Sequence, residues 1–344
     1  MRHNLVKKNS FDEVRLILAF IVLLAHTGTL VRTETLSWLT EYFDSNFAVK
    51  GFFVISGYLV TKSFYSSRNS VEYFIKRIRR IYPAYIVVIL YCFVIGVFTS
   101  TYSFVEILLN ATTYKYLVSN IFFLNFLQST IPNALIENKF LALNGSLWTI
   151  KVELMLYFLV PFLCFLYARL GLLQGYLIAL IIGVIWFIYF YYYFNHPIGA
   201  ILVNQFPGQL PYFALGSVLG FVSFRPLHCI AIVFITLIYY FVLSPLLSNL
   251  NAHLVNMILY PLVIIAIAST GALAIGVGKF GDLSYGVYLY HFPTIQLLEH
   301  FGFYDESPYL AFIFSVLLTI GLAYCSWRFV EKRFLKRSSH YLQN

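Results

Sequence analysis

Ten apolar runs, each close to the length of a bilayer-crossing helix, limit what this chain can fold into. They fall at about 14–31, 47–65, 81–100, 147–168, 173–194, 208–223, 228–247, 254–275, 282–300 and 309–330. A helix of about 20 apolar residues crosses the hydrocarbon layer, whereas barrel strands are half as long and alternate in polarity. Of 344 residues, 60% are hydrophobic and 11% are charged, against roughly 25% charged in soluble domains. These values exclude a water-soluble enzyme, a disordered chain and a disulfide scaffold. The expected fold is all-α, a polytopic membrane protein of about ten transmembrane helices. The segment 101–146 contains one short apolar piece, Val118–Leu127, read as a re-entrant or interfacial helix.

The basic residues set the direction. With an even number of spans, both termini share one side, and Lys/Arg positions 2, 7, 8, 15, 62, 68, 76, 77, 79, 80, 169, 225, 279, 328, 332, 333, 336 and 337 lie there. Only 32, 50, 115, 139 and 151 fall on the other side. The positive-inside rule places both termini in the cytoplasm, so the net charge of +9 is topogenic and no nucleic-acid partner is expected. Met1 to Ser10 is basic and leads into Phe11–Leu30 as a signal peptide would, but no small-residue cleavage site follows. A retained first helix is expected. One membrane domain, 11–331, is expected between short cytoplasmic tails, 1–10 and 332–344. Cys92, Cys164, Cys229 and Cys325 lie in apolar runs without CxxC spacing or a nearby His, which supports neither a disulfide nor a metal.

Ionisable residues inside a membrane helix are costly and mark candidate sites. On the first helix, Arg15 and His26 are eleven residues apart. That spacing puts them within roughly 20° of one face and about 16 Å apart along the axis. The pair can connect two compartments; equally, Arg15 can snorkel and His26 can be a hydrogen-bonded core residue. Val54-Ile55-Ser56-Gly57-Tyr58 offers small residues for close packing or ligand approach, and packing alone suffices. Lys76, Arg77, Arg79 and Arg80, in the loop before Ile81-Tyr82-Pro83, form the densest basic cluster. Arg77 and Arg80, at i and i+3 on a helix, can clamp a phosphate; a topogenic cluster touching anionic lipid reads the same. On the outer side, Asn144-Gly145-Ser146-Leu147-Trp148-Thr149 leads to Glu153 and Tyr157 at i, i+4. The plain alternative is a helix start with Ser146 as cap, interfacial Trp148 and a carboxylate favoured by the helix dipole. Ser284, Tyr288 and His291 follow i, i+4, i+7 and form one polar stripe, with His291 near mid-membrane. The stripe suits a water-accessible path or a structural network.

In this order the patches resemble the acyltransferase-3 family of bacterial membrane O-acyltransferases. Asp12-Glu13-Val14-Arg15 and His26 resemble its opening patch and Arg-x10-His spacing, although the family often has glycine in place of Glu13. Phe52-Phe53-Val54-Ile55-Ser56-Gly57 resembles its Phe-Phe-x-x-Ser-Gly patch. Arg77-Ile78-Arg79-Arg80-Ile81-Tyr82-Pro83 resembles its Arg-x-x-Arg before Ile-x-Pro. Ser146-Leu147-Trp148 through Glu153 and Tyr157, and Ser284-Tyr285 through Tyr288-Leu289, His291 and Pro293, resemble two more. The similarity spans about residues 11–331.

The resemblance implies an acyl-CoA donor, acetyl-CoA or another such as succinyl-CoA, and an acceptor hydroxyl on a cell-surface polysaccharide or its lipid-linked precursor. It implies a multi-pass protein of the bacterial inner membrane, with lipid around it. Arg77 and Arg80 would dock the coenzyme's phosphates, with Arg15 near the thioester. His26 would be the general base or a transient acyl carrier, since imidazole titrates near working pH. Glu153 would orient His26 or bind the sugar, and Trp148, Ser284, Tyr288 and His291 would contact substrate. The periplasmic hydrolase-like domain of some members does not follow here, so the membrane domain or a partner is expected to complete transfer. Two rival readings are a transporter of lipid-linked sugars and a structural subunit of an envelope-glycan complex. Neither needs to bind coenzyme A.

Overall fold

The structure, a computed structural model, describes residues 9–335. Basic residues 2, 7, 8, 336 and 337, and the parts of both expected tails that carry them, lie outside the described residues.

Every one of the ten runs is helical. The helices are α1 (Phe11–Leu30), α2 (Ser45–Tyr65), α3 (Ser70–Thr99), α4 (Ala111–Ile121), α5 (Trp148–Leu170), α6 (Leu172–Ile188), α7 (Phe206–Leu219), α8 (Pro226–Ile238), α9 (Asn249–Thr270), α10 (Leu283–His300) and α11 (Pro308–Ser326). Among the described residues 8 helices are long and apolar enough to cross a membrane. Helices α7 and α10 are not among them: α7 has only 14 residues, and the 18 of α10 are too polar. In each of these two, all but three residues are buried. The short helix expected over Val118–Leu127 lies earlier in the chain: α4, 11 residues or about 16 Å, starts at Ala111, where Asn110 caps it through Thr112 N–H (2.9 Å), and ends at Ile121. Phe123, at φ 62°, breaks it, and only a 3-10 turn, Asn125–Leu127, follows.

One expectation is corrected. The basic cluster at 76–80 does not lie in a loop. Helix α3 runs unbroken for 30 residues from Ser70, so the cluster occupies its first turns. Asn69 Oδ1 accepts the Glu72 N–H (2.9 Å), and the Glu72 carboxylate accepts the Arg68 N–H (2.9 Å). These bonds satisfy amides that a helix start leaves open, well outside the apolar run. Pro83 sits within the helix.

The chain divides into two compact units, each assembled from three stretches of sequence. Among the described residues the first comprises 9–15, Val49–Tyr73 and Val152–Val277. Its centre is α7, packed against α6 and α9. Glycine makes the closest approach possible: a Cβ on Gly57 of α2 would overlap the Phe213 carbonyl oxygen, and one on Gly216 of α7 would overlap that of Val54. A buried Thr61–Ser217 hydroxyl pair (2.7 Å) crosses the same contact. The start of α1 is tied down too, because Glu13 Oε1 accepts the N–H groups of Gly276 (2.9 Å) and Val277 (3.3 Å).

The second unit comprises, among the described residues, Leu16–Ala48, Phe74–Lys151 and 278–335. Its centre is α10, which lies along α11 with Gly286 against Ala323. Polar side chains of α10 bind the outer segment: Gln296 Nε2 donates to the carbonyls of Phe140 (2.6 Å) and Ala142 (2.9 Å), and Asn138 Nδ2 donates to Gln296 Oε1 (2.9 Å). The longest hydrophilic stretch of the sequence is thereby folded onto α10. This explains why a helix too polar for lipid is stable here: most of its polar side chains make hydrogen bonds within protein.

Candidate active site

His26 of α1 and His291 of α10, 265 residues apart, meet in the second unit. His26 Nδ1 lies 2.8 Å from His291 Nε2, and the rings are within 10° of parallel. His291 Nδ1 lies 3.1 Å from the Val287 carbonyl oxygen, one turn back on α10. A carbonyl oxygen only accepts, so the tautomers follow from the network. With both rings neutral, His291 Nδ1 carries the hydrogen and its Nε2 accepts from His26 Nδ1–H. The lone pair of His26 Nε2 is left outside the relay. His291 is fully buried, whereas His26 keeps accessible surface. The Phe292 ring stands edge-on to His26 (5.4 Å), and a Cβ on Gly145 would sit 2.7 Å from that ring. Gly145 is therefore a packing requirement beside the histidines.

The rest of the expected α10 stripe has other tasks. Tyr288 hydroxyl pairs with Thr149 Oγ1 (2.6 Å) and donates to the Ser146 carbonyl (3.2 Å). Asn144 Nδ2 donates to the Leu289 carbonyl (2.9 Å). Together they dock residues 144–149 on α10. The Ser146 hydroxyl donates to Asn144 Oδ1 (2.7 Å), so the cap expected from Ser146 is replaced by an Asn144-centred turn. Trp148 is the first residue of α5 and is half-buried. Ser284 donates to Asp282 Oδ1 (2.5 Å) at the other end of α10. Thus Ser284, Tyr288 and His291 share a face and hydrogen-bond to different partners, while the Tyr288 and His291 rings meet edge-on (5.8 Å).

Arg80 also departs from expectation. Its guanidinium pairs with Asp282 and, at 3.4 Å, with Glu331, both buried, and lies over the Tyr285 ring (5.6 Å). Glu331 in turn accepts from Ser326 (3.1 Å). The expected phosphate clamp used Arg77 and Arg80 jointly; here two buried carboxylates occupy Arg80. Removing one partner of such a network costs about 3–5 kcal/mol because the other charge stays buried. Arg77 lies one turn earlier on α3 and is half-buried.

The first unit holds Arg15 and Glu153. Arg15, in the second turn of α1, is half-buried. Glu153 Oε1 accepts from Ser56 (2.6 Å) of α2 and from Tyr157 (2.5 Å) one turn on. Residues of two sequence patches, Ser56 from Phe52–Gly57 and Tyr157 from Ser146–Tyr157, therefore both donate to one carboxylate, while neighbouring Gly57 serves the α2–α7 contact.

A family profile described as an acyltransferase domain matches residues 8–328. The chain belongs to the acyltransferase-3 family. This acyltransferase is 27% identical over 354 residues to an O-acetyl transferase of Shigella phage Sf6, covering 97% of this chain and 98% of the relative. It is also 31% identical to nodulation protein 10 of Rhizobium leguminosarum bv. viciae, over 48% of the chain and 47% of that protein. No solved structure matches it significantly. It is a multi-pass membrane acyltransferase of the O-acyltransferase type.

Several residues of the acyltransferase network escaped the sequence reading. Asp282 opens one apolar run and Glu331 follows another, positions where acidic residues read as interfacial. Glu299 was the recoverable one: it lies inside the run 282–300, where a carboxylate is costly in lipid. The residues that dock the outer segment, Asn138 and Gln296, carry no periodic signal.

Proposed function

We propose that the protein transfers an acetyl or other short acyl group from acyl-CoA to a hydroxyl of an envelope glycan or its lipid-linked precursor, in the bacterial inner membrane. The observation that carries this reading is the Val287–His291–His26 relay, which leaves His26 Nε2 as an oriented base. His26 Nε2 takes the proton of the acceptor hydroxyl as that oxygen attacks the thioester carbon. The C–O bond forms, the C–S bond breaks, and the imidazolium returns the proton to the coenzyme thiolate. Protons balance without a separate donor. Base catalysis of this kind contributes about 10²–10⁴-fold.

His291 acts through His26 and is a positioning residue. Its backbone-fixed tautomer keeps His26 from presenting the wrong nitrogen. Arg77 is assigned to the coenzyme's phosphates and Arg15 to the thioester end. Arg80 supports the same region of α3 through Asp282 and Glu331. Glu153, fixed by Ser56 and Tyr157, is assigned to an acceptor hydroxyl. The full-length similarity to a protein named O-acetyl transferase supports acetyl as the group moved.

The test uses purified protein in lipid nanodiscs with labelled acetyl-CoA, then succinyl-CoA, and an envelope-glycan extract. Label should enter glycan with wild type and not with His26→Ala, while Arg77→Ala should mainly raise the KM for the donor. A wild type that consumes neither donor, or a fully active His26→Ala, would overturn the assignment.

A further inference from the structure

We propose that Arg32 is a positioning residue for acyl transfer: it clamps the outer ends of α1 and α10 in the register that brings His26 onto His291. The proposal rests on the reading of His26 as the base. Arg32 lies two residues beyond the end of α1, and Glu299 is the penultimate residue of α10. Arg32 grips that helix end at several points. Its backbone N–H donates to Glu299 Oε1 (3.0 Å), its Nε lies 2.7 Å from the same oxygen, and its Nη2 donates to the Glu299 carbonyl (3.2 Å). Nη2 also reaches Asp305 Oδ2 (3.1 Å), and Nη1 reaches the Glu137 carbonyl (3.1 Å). A cation is thus placed on the carbonyl end of α10, where the helix dipole favours it.

Glu299 is fully buried, and its second oxygen, Oε2, is buried with no hydrogen-bond partner. Arg32 is the cation facing this carboxylate. The clamp acts near the histidines. Arg32 follows His26 by six residues and Glu299 follows His291 by eight, roughly 9 and 12 Å along helical paths. Around the clamp the two helices share an apolar cluster that includes Leu30, Val31, Phe292, Ile295 and Leu298. Apolar burial is non-directional and tolerates sliding. Hydrogen bonds to a planar guanidinium do not. A slide of about 1 Å would break the 2.8 Å histidine contact.

Steady-state kinetics of nanodisc-embedded protein test this, with labelled acetyl-CoA, envelope-glycan extract titrated as hexose, and rates normalised to monodisperse protein. Arg32→Lys keeps a charge opposite Glu299 but cannot make the same set of bonds. Its kcat should fall about tenfold and that of Arg32→Ala about 100-fold, both KM values staying within about twofold. Added guanidinium should restore part of the Arg32→Ala rate. Wild-type kcat in folded Arg32→Lys would overturn the clamp, as would a raised KM for the extract at unchanged kcat, which would make Arg32 an acceptor contact. If Arg32→Ala fails to fold, Arg32→Lys decides alone. A His26→Ala control separates the two ideas: full transfer there sinks the base assignment itself, whereas inactive His26→Ala beside wild-type Arg32→Lys sinks only the clamp.

Discussion

Helices α7 and α10 solve the same problem in opposite ways. Neither is suited to lipid, one because it is short and the other because it is polar, and each forms the buried centre of its unit. Helix α7 is buried by removing side chain: glycines on both sides of the α2–α7 crossing bring backbone against backbone. Helix α10 is buried by satisfying side chain. His291, Tyr288, Gln296, Ser284 and Glu299 each have a partner within the second unit. A glycine crossing fixes distance but orients no functional group. A polar helix with partners for its side chains orients many, and His291, with His26 against it, is oriented in this way.

The largest effect expected from this contrast is at the base. His26→Ala should cut transfer by about 10²–10⁴-fold while the thermal unfolding midpoint stays near wild type; a variant that lost activity only by unfolding would make His26 a packing residue. Next comes the α7 side, where the damage should be to folding. Gly57→Val should cost about 3 kcal/mol or more, seen as loss of monodisperse protein and a lower midpoint, because backbone blocks the new side chain. Gly321→Ala on α11, with open space at its Cβ, is the control and should leave the midpoint unchanged or raised. A Gly57→Val protein as stable as wild type would contradict the close crossing.

Smaller still is the positioning effect of α10. His291→Gln should lower kcat by about 10²-fold with little change in donor KM. An equal loss of donor binding would instead place His291 against the coenzyme. Last is Tyr288→Phe. Deleting one hydroxyl that docks residues 144–149 should lower stability by about 1 kcal/mol and leave kcat nearly intact. A large kcat loss at wild-type stability would return Tyr288 to the substrate contacts expected from the sequence.

The spans were legible because length and apolarity are properties of a contiguous segment, and lipid imposes both. The beginning of α3 was less so. Residues 70–80 are helical yet too charged to register as part of a span, and the Asn69 and Glu72 bonds that start the helix look like ordinary loop residues in sequence. At the site, His26, His291, Arg77, Arg80 and Glu153 could be nominated singly, because ionisable groups in or beside apolar runs stand out. Which side chains pair with which could not. Arg80 looked like half of a phosphate clamp until Asp282 and Glu331, more than 200 residues away in sequence, proved to hold it.

The sequence alone determined an all-α membrane protein and the acyltransferase-3 resemblance, since hydropathy and motif order both act locally along the chain. Only the tertiary structure decided which nitrogen of His26 lies outside the relay, because that depends on a 2.8 Å contact with a ring 265 residues away and on a carbonyl one turn further back. Hydrogen-bond direction is a property of three-dimensional neighbours, and no pattern along a chain encodes it.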